Sequence, residues 1–223
     1  MYKRQVEDRL DYYYNLEGVR MSCVTEDSAG NLYVGTMNNG LYMIDHNKKW
    51  LNYFPKKDIT CIYEDSKKSI WVGTKDDGLF RLDRNGGITN YGTAPHQNML
   101  SSSYVRCVVE DNLGNYWIGT FKGLDKLDVT TGTFTHYSKD NKPYSLSNSS
   151  IICMMKDRQG TFWIGTYYGG VNLFNPDYEI YTYYYPDESQ KGKLTSPFAG
   201  RMTEDSNGGI WIATEGGGVN YLD

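Results

Sequence analysis

One eleven-residue string occurs five times in this chain without a gap, and a repeat at a near-fixed period decides the architecture before any single element is read. Its copies begin at Glu26, Glu64, Glu110, Lys156 and Glu204; the third reads Glu110-Asp-Asn-Leu-Gly-Asn-Tyr-Trp-Ile-Gly-Thr120. An aromatic anchor holds the same place in each copy, as Tyr33, Trp71, Trp117, Trp163 and Trp211, so successive repeats lie 38, 46, 46 and 48 residues apart. Leucine-rich solenoids need a shorter period, and helical repeats need a 3.6-residue apolar pattern that these turn-punctuated runs lack.

Each repeat reads as four short strands, A to D. Strand A is the apolar run ahead of the acidic pair, as in Ile59-Thr-Cys-Ile-Tyr63, and the Asp-x-x-Gly stretch after it makes an Asx-type turn into strand B. Strand B carries the aromatic anchor. Turns such as Asn38-Asn39-Gly40 and Asp76-Asp77-Gly78 lead into strand C, because these residues tolerate positive φ. The fourth strand is aromatic and more polar, at residues 50–54, 88–91, 134–137 and 181–185. That suits an outer edge, where a tyrosine ring packs and its hydroxyl stays wet.

Four-stranded units at this spacing are the blades of a β-propeller, whose radial stacking buries both faces of each sheet and leaves only short outer edges. The expected fold is all-β, with blades at about residues 19–54, 59–92, 104–138, 150–185 and 198–223. The last repeat ends after strand C at Tyr221-Leu222-Asp223, while residues 10–16, with Leu10-Asp-Tyr-Tyr-Tyr14, have the character of a strand D that no repeat precedes. We expect this spare strand to complete the fifth blade and close a five-bladed ring; the rival is an open arc of a larger propeller. Residues 1–9 read as a disordered lead-in to a propeller spanning residues 10–223.

Composition narrows the partners. Tyr reaches 21 and Gly 24 of 223 residues, which favours strands and tight turns, and a chain of this length buries roughly 70–75% of its unfolded surface without staples. A net charge of -4 argues against a nucleic-acid partner or a polybasic membrane contact. There is neither a membrane-length apolar run nor an N-terminal apolar h-region, so no direct membrane insertion by this segment is expected and any export signal is expected to lie outside it.

Cys23, Cys61, Cys107 and Cys153 each stand ten residues before the anchor, at one repeat position that Arg201 fills in the fifth unit. Equivalent positions on neighbouring blades are too far apart to bridge, so these read as small buried thiols. His46, His96 and His136 fall at three different repeat positions and read as surface residues, and neither a metal nor a cofactor is expected. The recurrent Trp could offer a sugar platform, but one residue at one place in every unit is read first as packing between sheets. The acidic pair could suggest hydrolytic carboxylates, yet adjacent strand residues point to opposite faces, and capping of the turn explains Asp27, Asp65, Asp111, Asp157 and Asp205 better. Calcium at these turns is a weak reading, since each offers too few oxygens.

The motif Glu-Asp-x-x-Gly-x-x-Trp-[Ile/Val]-Gly-Thr-x-x-Gly-Gly, seen most fully around Trp163-Ile-Gly-Thr-Tyr-Tyr-Gly-Gly-Val-Asn-Leu-Phe-Asn175, resembles the two-component regulator propeller repeat. The likeness covers about residues 19–223. Departures are Tyr33 for Trp, Lys68 for the turn Gly, Ala213 for Gly and a third unit one residue short at Phe121-Lys122-Gly123; they read as drift within blades. The resemblance implies the periplasmic sensor region of a bacterial hybrid histidine kinase, recognising oligosaccharides. It also implies further propeller, linker and kinase domains as partners, with a homodimer as one arrangement. None of those output parts is in this sequence.

Function is expected where the repeats disagree, because shared positions are consumed by folding. The B-to-C turns and the D-to-A connections share one face of a propeller, and the latter carry the length variation. Ser, Asn, Lys and Tyr dominate them, a mixture suited to a neutral, hydroxyl-rich ligand. Arg106 reads as interrupting an otherwise apolar position on strand A, and Arg201 replaces a thiol. Candidate ligand contacts are Arg106, Arg201, Tyr167, Tyr168, Phe121, Lys122 and Lys75, with solvated loop residues as the alternative for each. Two other functions stay open. A lyase of the streptogramin type would need a base such as His96 to meet an acid such as Glu215, and a protein scaffold would use the Tyr-rich edges near residues 12–14 and 183–185.

Overall fold

The computed structural model describes residues 18–92, 98–140, 145–176, 180–186 and 193–223. Nineteen strands and no helix occur among them, in five antiparallel sheets of up-and-down order. The first sheet holds β1 (Arg20–Glu26), β2 (Leu32–Met37), β3 (Leu41–Ile44) and β4 (Trp50–Tyr53), and the second β5 (Ile59–Glu64), β6 (Ile70–Thr74), β7 (Leu79–Leu82) and β8 (Ile88–Tyr91). The third holds β9 (Val105–Glu110), β10 (Tyr116–Thr120), β11 (Leu124–Leu127) and β12 (Phe134–Tyr137), and the fourth β13 (Ile151–Lys156), β14 (Phe162–Thr166), β15 (Gly170–Asn175) and β16 (Ile180–Tyr184). The fifth has β17 (Ala199–Glu204), β18 (Ile210–Thr214) and β19 (Gly218–Leu222). Strands A of successive sheets touch one another, β1 with β5, β5 with β9, β9 with β13 and β13 with β17, which puts A at the hub and D at the rim.

The cores lie between blades. Trp117 packs among Leu146, Ile151, Phe162 and Phe174 of the fourth blade, and Trp71 among Val105, Tyr116 and Ile118 of the third. Trp163 meets Ala199, Ile210 and Ile212 of the fifth. Each anchor therefore needs the blade that follows it. Trp71 is fully buried, whereas Trp211, with no described blade after it, is 43% exposed.

Each anchor is also tied to its own turn. The Oδ1 atom of Asp111 accepts the backbone N–H groups of Leu113 and Asn115, and its Oδ2 accepts the indole N–H of Trp117 at 3.0 Å. Asp65 with Trp71 and Asp157 with Trp163 repeat the indole bond at 2.9 Å. Asp65 and Asp111 are thus buried carboxylates held by hydrogen bonds, the arrangement that offsets the cost of removing a charge from water. At the second turn Lys68 takes φ 66°, the left-handed backbone that Gly30, Gly114, Gly160 and Gly208 take elsewhere, so the turn survives loss of its glycine.

The thiols need glycine opposite them. Cys23, Cys61, Cys107 and Cys153 pair in register with Gly35, Gly73, Gly119 and Gly165, and a Cβ on any of these glycines would fall 2.4–2.6 Å from the facing sulfur. In the fifth blade Arg201 pairs with Ala213. Loss of the thiol and gain of the methyl go together, so Ala213 stands where no sulfur faces it. All four cysteines are free.

The five sheets do not close into a ring among the described residues. The fifth has three strands there, Trp211, Val219 and Tyr221 are exposed on it, and Met21 and Val24 are exposed on the first blade. Residues 10–16, expected to supply the closing strand, and the 1–9 lead-in lie outside the described residues. Among the described residues no helix is long and apolar enough to cross a membrane.

Candidate functional site

Strand A carries a β-bulge in every blade. The register skips between Met21 and Cys23, Ile59 and Cys61, Val105 and Cys107, Ile151 and Cys153, and Ala199 and Arg201. The residue left unpaired is Ser22, Thr60, Arg106, Ile152 or Gly200, always eleven places before the anchor. A bulge bends its strand and re-aims the extra residue. All five of these residues line one cavity of about 510 Å³ at the hub.

The same cup is lined by Asp58, Tyr104 and Phe198, two residues before the bulge in their blades, and by Met37, Lys75 and Tyr167 from the B-to-C turns. Among the described residues three cations, Lys75, Arg106 and Arg201, line it with one carboxylate, Asp58. Asp58 Oδ1 already accepts the backbone N–H of Asn38 at 2.6 Å.

Arg106 does not interrupt an apolar position. Its equivalents Ser22 and Thr60 carry hydroxyls that each donate to a strand-A carbonyl of the next blade, Ile59 O and Val105 O, at 2.5 Å. Arg106 does the same with a longer arm: its NH1 donates to Ile151 O at 3.0 Å and to Ser150 Oγ at 2.9 Å. The guanidinium lies 4.5 Å from the Tyr104 ring centre and 5.2 Å from that of Phe121, two rings stacked at 13°. Hydrogen bonds from one terminal nitrogen to the next blade and contact with two aromatic rings hold the group in place.

A second aromatic group stands across the cup. Tyr167 meets Tyr168 and Phe198 edge to face at centroid distances of 4.5 and 5.0 Å. Tyr168 reaches this contact from a left-handed backbone, φ 57°. Tyr167, Tyr168 and Phe121 are large rings left exposed.

Of the residues expected from sequence, Lys75, Arg106, Tyr167 and Arg201 line the cup. Phe121 and Tyr168 stand behind it, one against Arg106 and the other against Tyr167. Lys122 is exposed on its turn, its backbone N–H on Thr120 Oγ1, and does not line the cup. Sequence reasoning missed Ser22, Asp58, Thr60, Tyr104 and Phe198. The signal was there, since positions eleven and thirteen before the anchor change chemical character from blade to blade while the position between them stays apolar, as Met21, Ile59, Val105, Ile151 and Ala199.

The long D-to-A connections are pinned to strand C. Ser101 donates its backbone N–H and hydroxyl to Asp125 Oδ2, Ser147 N–H goes to Asn172 Oδ1, and Thr195 N–H to Asn220 Oδ1. His136 is correspondingly not a free surface residue, for its Nδ1 stands 2.8 Å from the other oxygen of buried Asp125. His46 is exposed beside Asn47, and His96 lies outside the described residues. No group of three or more His, Cys, Asp or Glu suited to a metal ion occurs among the described residues. Glu215 spends its backbone N–H on Phe198 O and does not line the cup.

Sheets stacked around a hub with strands A innermost define a β-propeller. The chain carries four matches to the model of the two component regulator propeller repeat, at residues 53–76, 99–122, 145–168 and 193–216. The first repeat, with Tyr33 at the anchor, is not among the matches. No curated protein sequence matches the chain. Among solved structures, the extracellular domain of the hybrid two component system BT4673 from B. thetaiotaomicron superposes with a TM-score of 0.73 at 22% identity, over 91% of this chain and 27% of that one. Virginiamycin B lyase from Staphylococcus aureus gives 0.68 at 14% identity, over 92% and 70%. PorZ of Porphyromonas gingivalis gives 0.70 at 15%, over 90% and 31%. This chain thus spans about a quarter of the BT4673 domain it resembles, and at these identities the likeness shows the fold alone.

Proposed function

We propose that this chain is the ligand-recognition part of a two-component sensor, taking an oligosaccharide or similar hydroxyl-rich ligand into the hub cup on the periplasmic side of the inner membrane. The observation that carries the reading is the lining itself. Flat rings of Tyr104, Tyr167 and Phe198 stand beside hydroxyls of Ser22 and Thr60 in a cavity of about 510 Å³, large enough for a short oligosaccharide. Rings stack on sugar faces, and polar groups set orientation. The pinned connections at Ser101, Ser147 and Thr195 keep the rim rigid, which lowers the ordering cost of binding. Occupancy would be passed on by favouring one arrangement of the further propeller, linker and kinase domains, or of a dimer of them, and that requires different affinity for the two states.

Calorimetry of the 223-residue chain against a panel of plant and host oligosaccharides tests this. Saturable heat without product is the expected result. Turnover of any panel member would move the protein to the lyase class instead, and absence of heat with every member would sink the sensor reading.

A further inference from the structure

We propose that the ligand of the cup is an anion: a sugar bearing a carboxylate or a sulfate, bound between Arg106, Arg201 and Lys75. This rests on the cup being the recognition site. The composition of the connecting loops pointed to a neutral ligand, but the residues that reach the cavity are different ones. Among the described residues three cations and one carboxylate line it, in a chain whose net charge is -4. A positive concavity in an acidic protein is a local arrangement, and low-dielectric walls focus its field on whatever enters.

The partners of these cations sharpen the point. Arg201 is exposed, and no described side chain hydrogen-bonds or ion-pairs with it. The Lys75 ammonium is likewise without a described partner. Asp58, the acid among the described residues of the cup, accepts the backbone N–H of Asn38 instead. Arg106 spends one terminal nitrogen on the next blade, and its guanidinium is held by the Tyr104 and Phe121 rings. A guanidinium fixed in this way presents a planar donor edge that matches the two oxygens of a carboxylate or sulfate. Four of the five blades hold a small thiol at that position, and the fifth, with no described blade after it, carries a cation there that lines the cup.

The test is calorimetry on the 223-residue chain with trigalacturonic acid, its fully methyl-esterified form and a sulfated chondroitin disaccharide, with citrate as a competitor. The two trisaccharides share hydroxyls and rings and differ in charge. At least one charged probe should bind, the acid about tenfold or more above the ester if the carboxylate is the recognised group, and the sulfated disaccharide in its place if sulfate is. Raising salt should weaken binding, and Arg201→Gln and Lys75→Gln should each reduce it by about tenfold while leaving thermal unfolding unchanged. Equal binding of acid and ester, or binding indifferent to Arg201→Gln, would overturn the anion inference and leave the glycan reading standing. Equal competition by citrate would keep the anion and remove the sugar. No binding by any charged or neutral probe would end both.

Discussion

Glu110 is held at both oxygens by Ser66 of the preceding blade, one through the backbone N–H and one through the hydroxyl, each at 2.7 Å. Glu64 takes Ser28 in the same way, and Glu204 Oε2 takes the backbone N–H of Arg158 at 3.1 Å. In the fourth blade, where Lys156 stands for Glu, the polarity reverses and the Lys156 ammonium donates to Asn112 Oδ1. The acidic pair is thus divided: its Asp serves the turn of its own blade and its Glu latches the blade before. Opposite facing of neighbouring strand residues, which argues against a catalytic pair, is what permits the division.

Removing one latch should therefore cost more than removing the equivalent charge where no described blade precedes it. Glu110→Ala removes two charge-assisted hydrogen bonds between blades and empties a buried site, and a loss of about 1–3 kcal/mol is expected from urea unfolding even though exposed Ser66 can turn to water. Glu26, exposed on the first blade, is the control, and Glu26→Ala should stay within about 0.5 kcal/mol. Equal losses at the two positions would count against the latch.

The glycine opposite each thiol makes a sharper demand on space. A Cβ at position 119 would stand 2.4 Å from Cys107 Sγ and 2.7 Å from Ile151 Cγ2, so Gly119→Ala should destabilise by about 1–3 kcal/mol through overpacking. Combining it with Cys107→Ala should recover part of that loss, and the coupling would appear in a double-mutant cycle. Simple additivity would mean that the sulfur is not what the methyl meets.

The five repeats, the strand pattern and the structural role of Trp71, Trp117 and Trp163 were legible because each is a property of periodic spacing. Strand boundaries at residues 88–91 and 134–137 follow directly from it. The inter-blade latch was not legible, since its two halves, such as Ser66 and Glu110, are 44 residues apart and only the packing of blades brings them together. The bulge was hidden for another reason. One unpaired residue leaves no composition signal, yet it turns Thr60 and Arg106 toward the axis and so decides which variable positions can touch a ligand.

A shared anchor with unequal burial gives a second comparison. Trp117 is 1% exposed and Trp211 43%, although they occupy the same repeat position. Trp117→Ala should cost about 3–5 kcal/mol, the range for emptying an aromatic site in a closed core. Trp211→Ala keeps solvent on one side of the vacated space and should cost about 1 kcal/mol or less. Thermal unfolding of the two variants side by side measures the difference, and equal shifts would mean that the inter-blade core is not what the anchor serves.

The thiols set a direction for alkaline stability. Burial pushes Cys61 up to about 12 and Cys153 up to about 11 from an ordinary 9.0, and Cys107 also lies well above that value. Tyr33 is raised to about 12 from 10.0, again chiefly by burial. In every case the unfolded chain loses the proton first. Deprotonation therefore favours unfolding across the window from the ordinary value to the raised one, and stability that is intact below about pH 8 should fall as pH climbs from 9 toward 12. Urea midpoints taken across that range should drop, and the Cys61→Ala, Cys153→Ala double variant should drop less steeply. Cys153 is buried whereas Cys23, Cys61 and Cys107 are partly exposed, so labelling of Cys153 in the folded protein near neutral pH should proceed no faster than unfolding exposes its sulfur. Rapid labelling of Cys153 without unfolding would place that thiol at the surface and remove the packing argument for Gly165 opposite it.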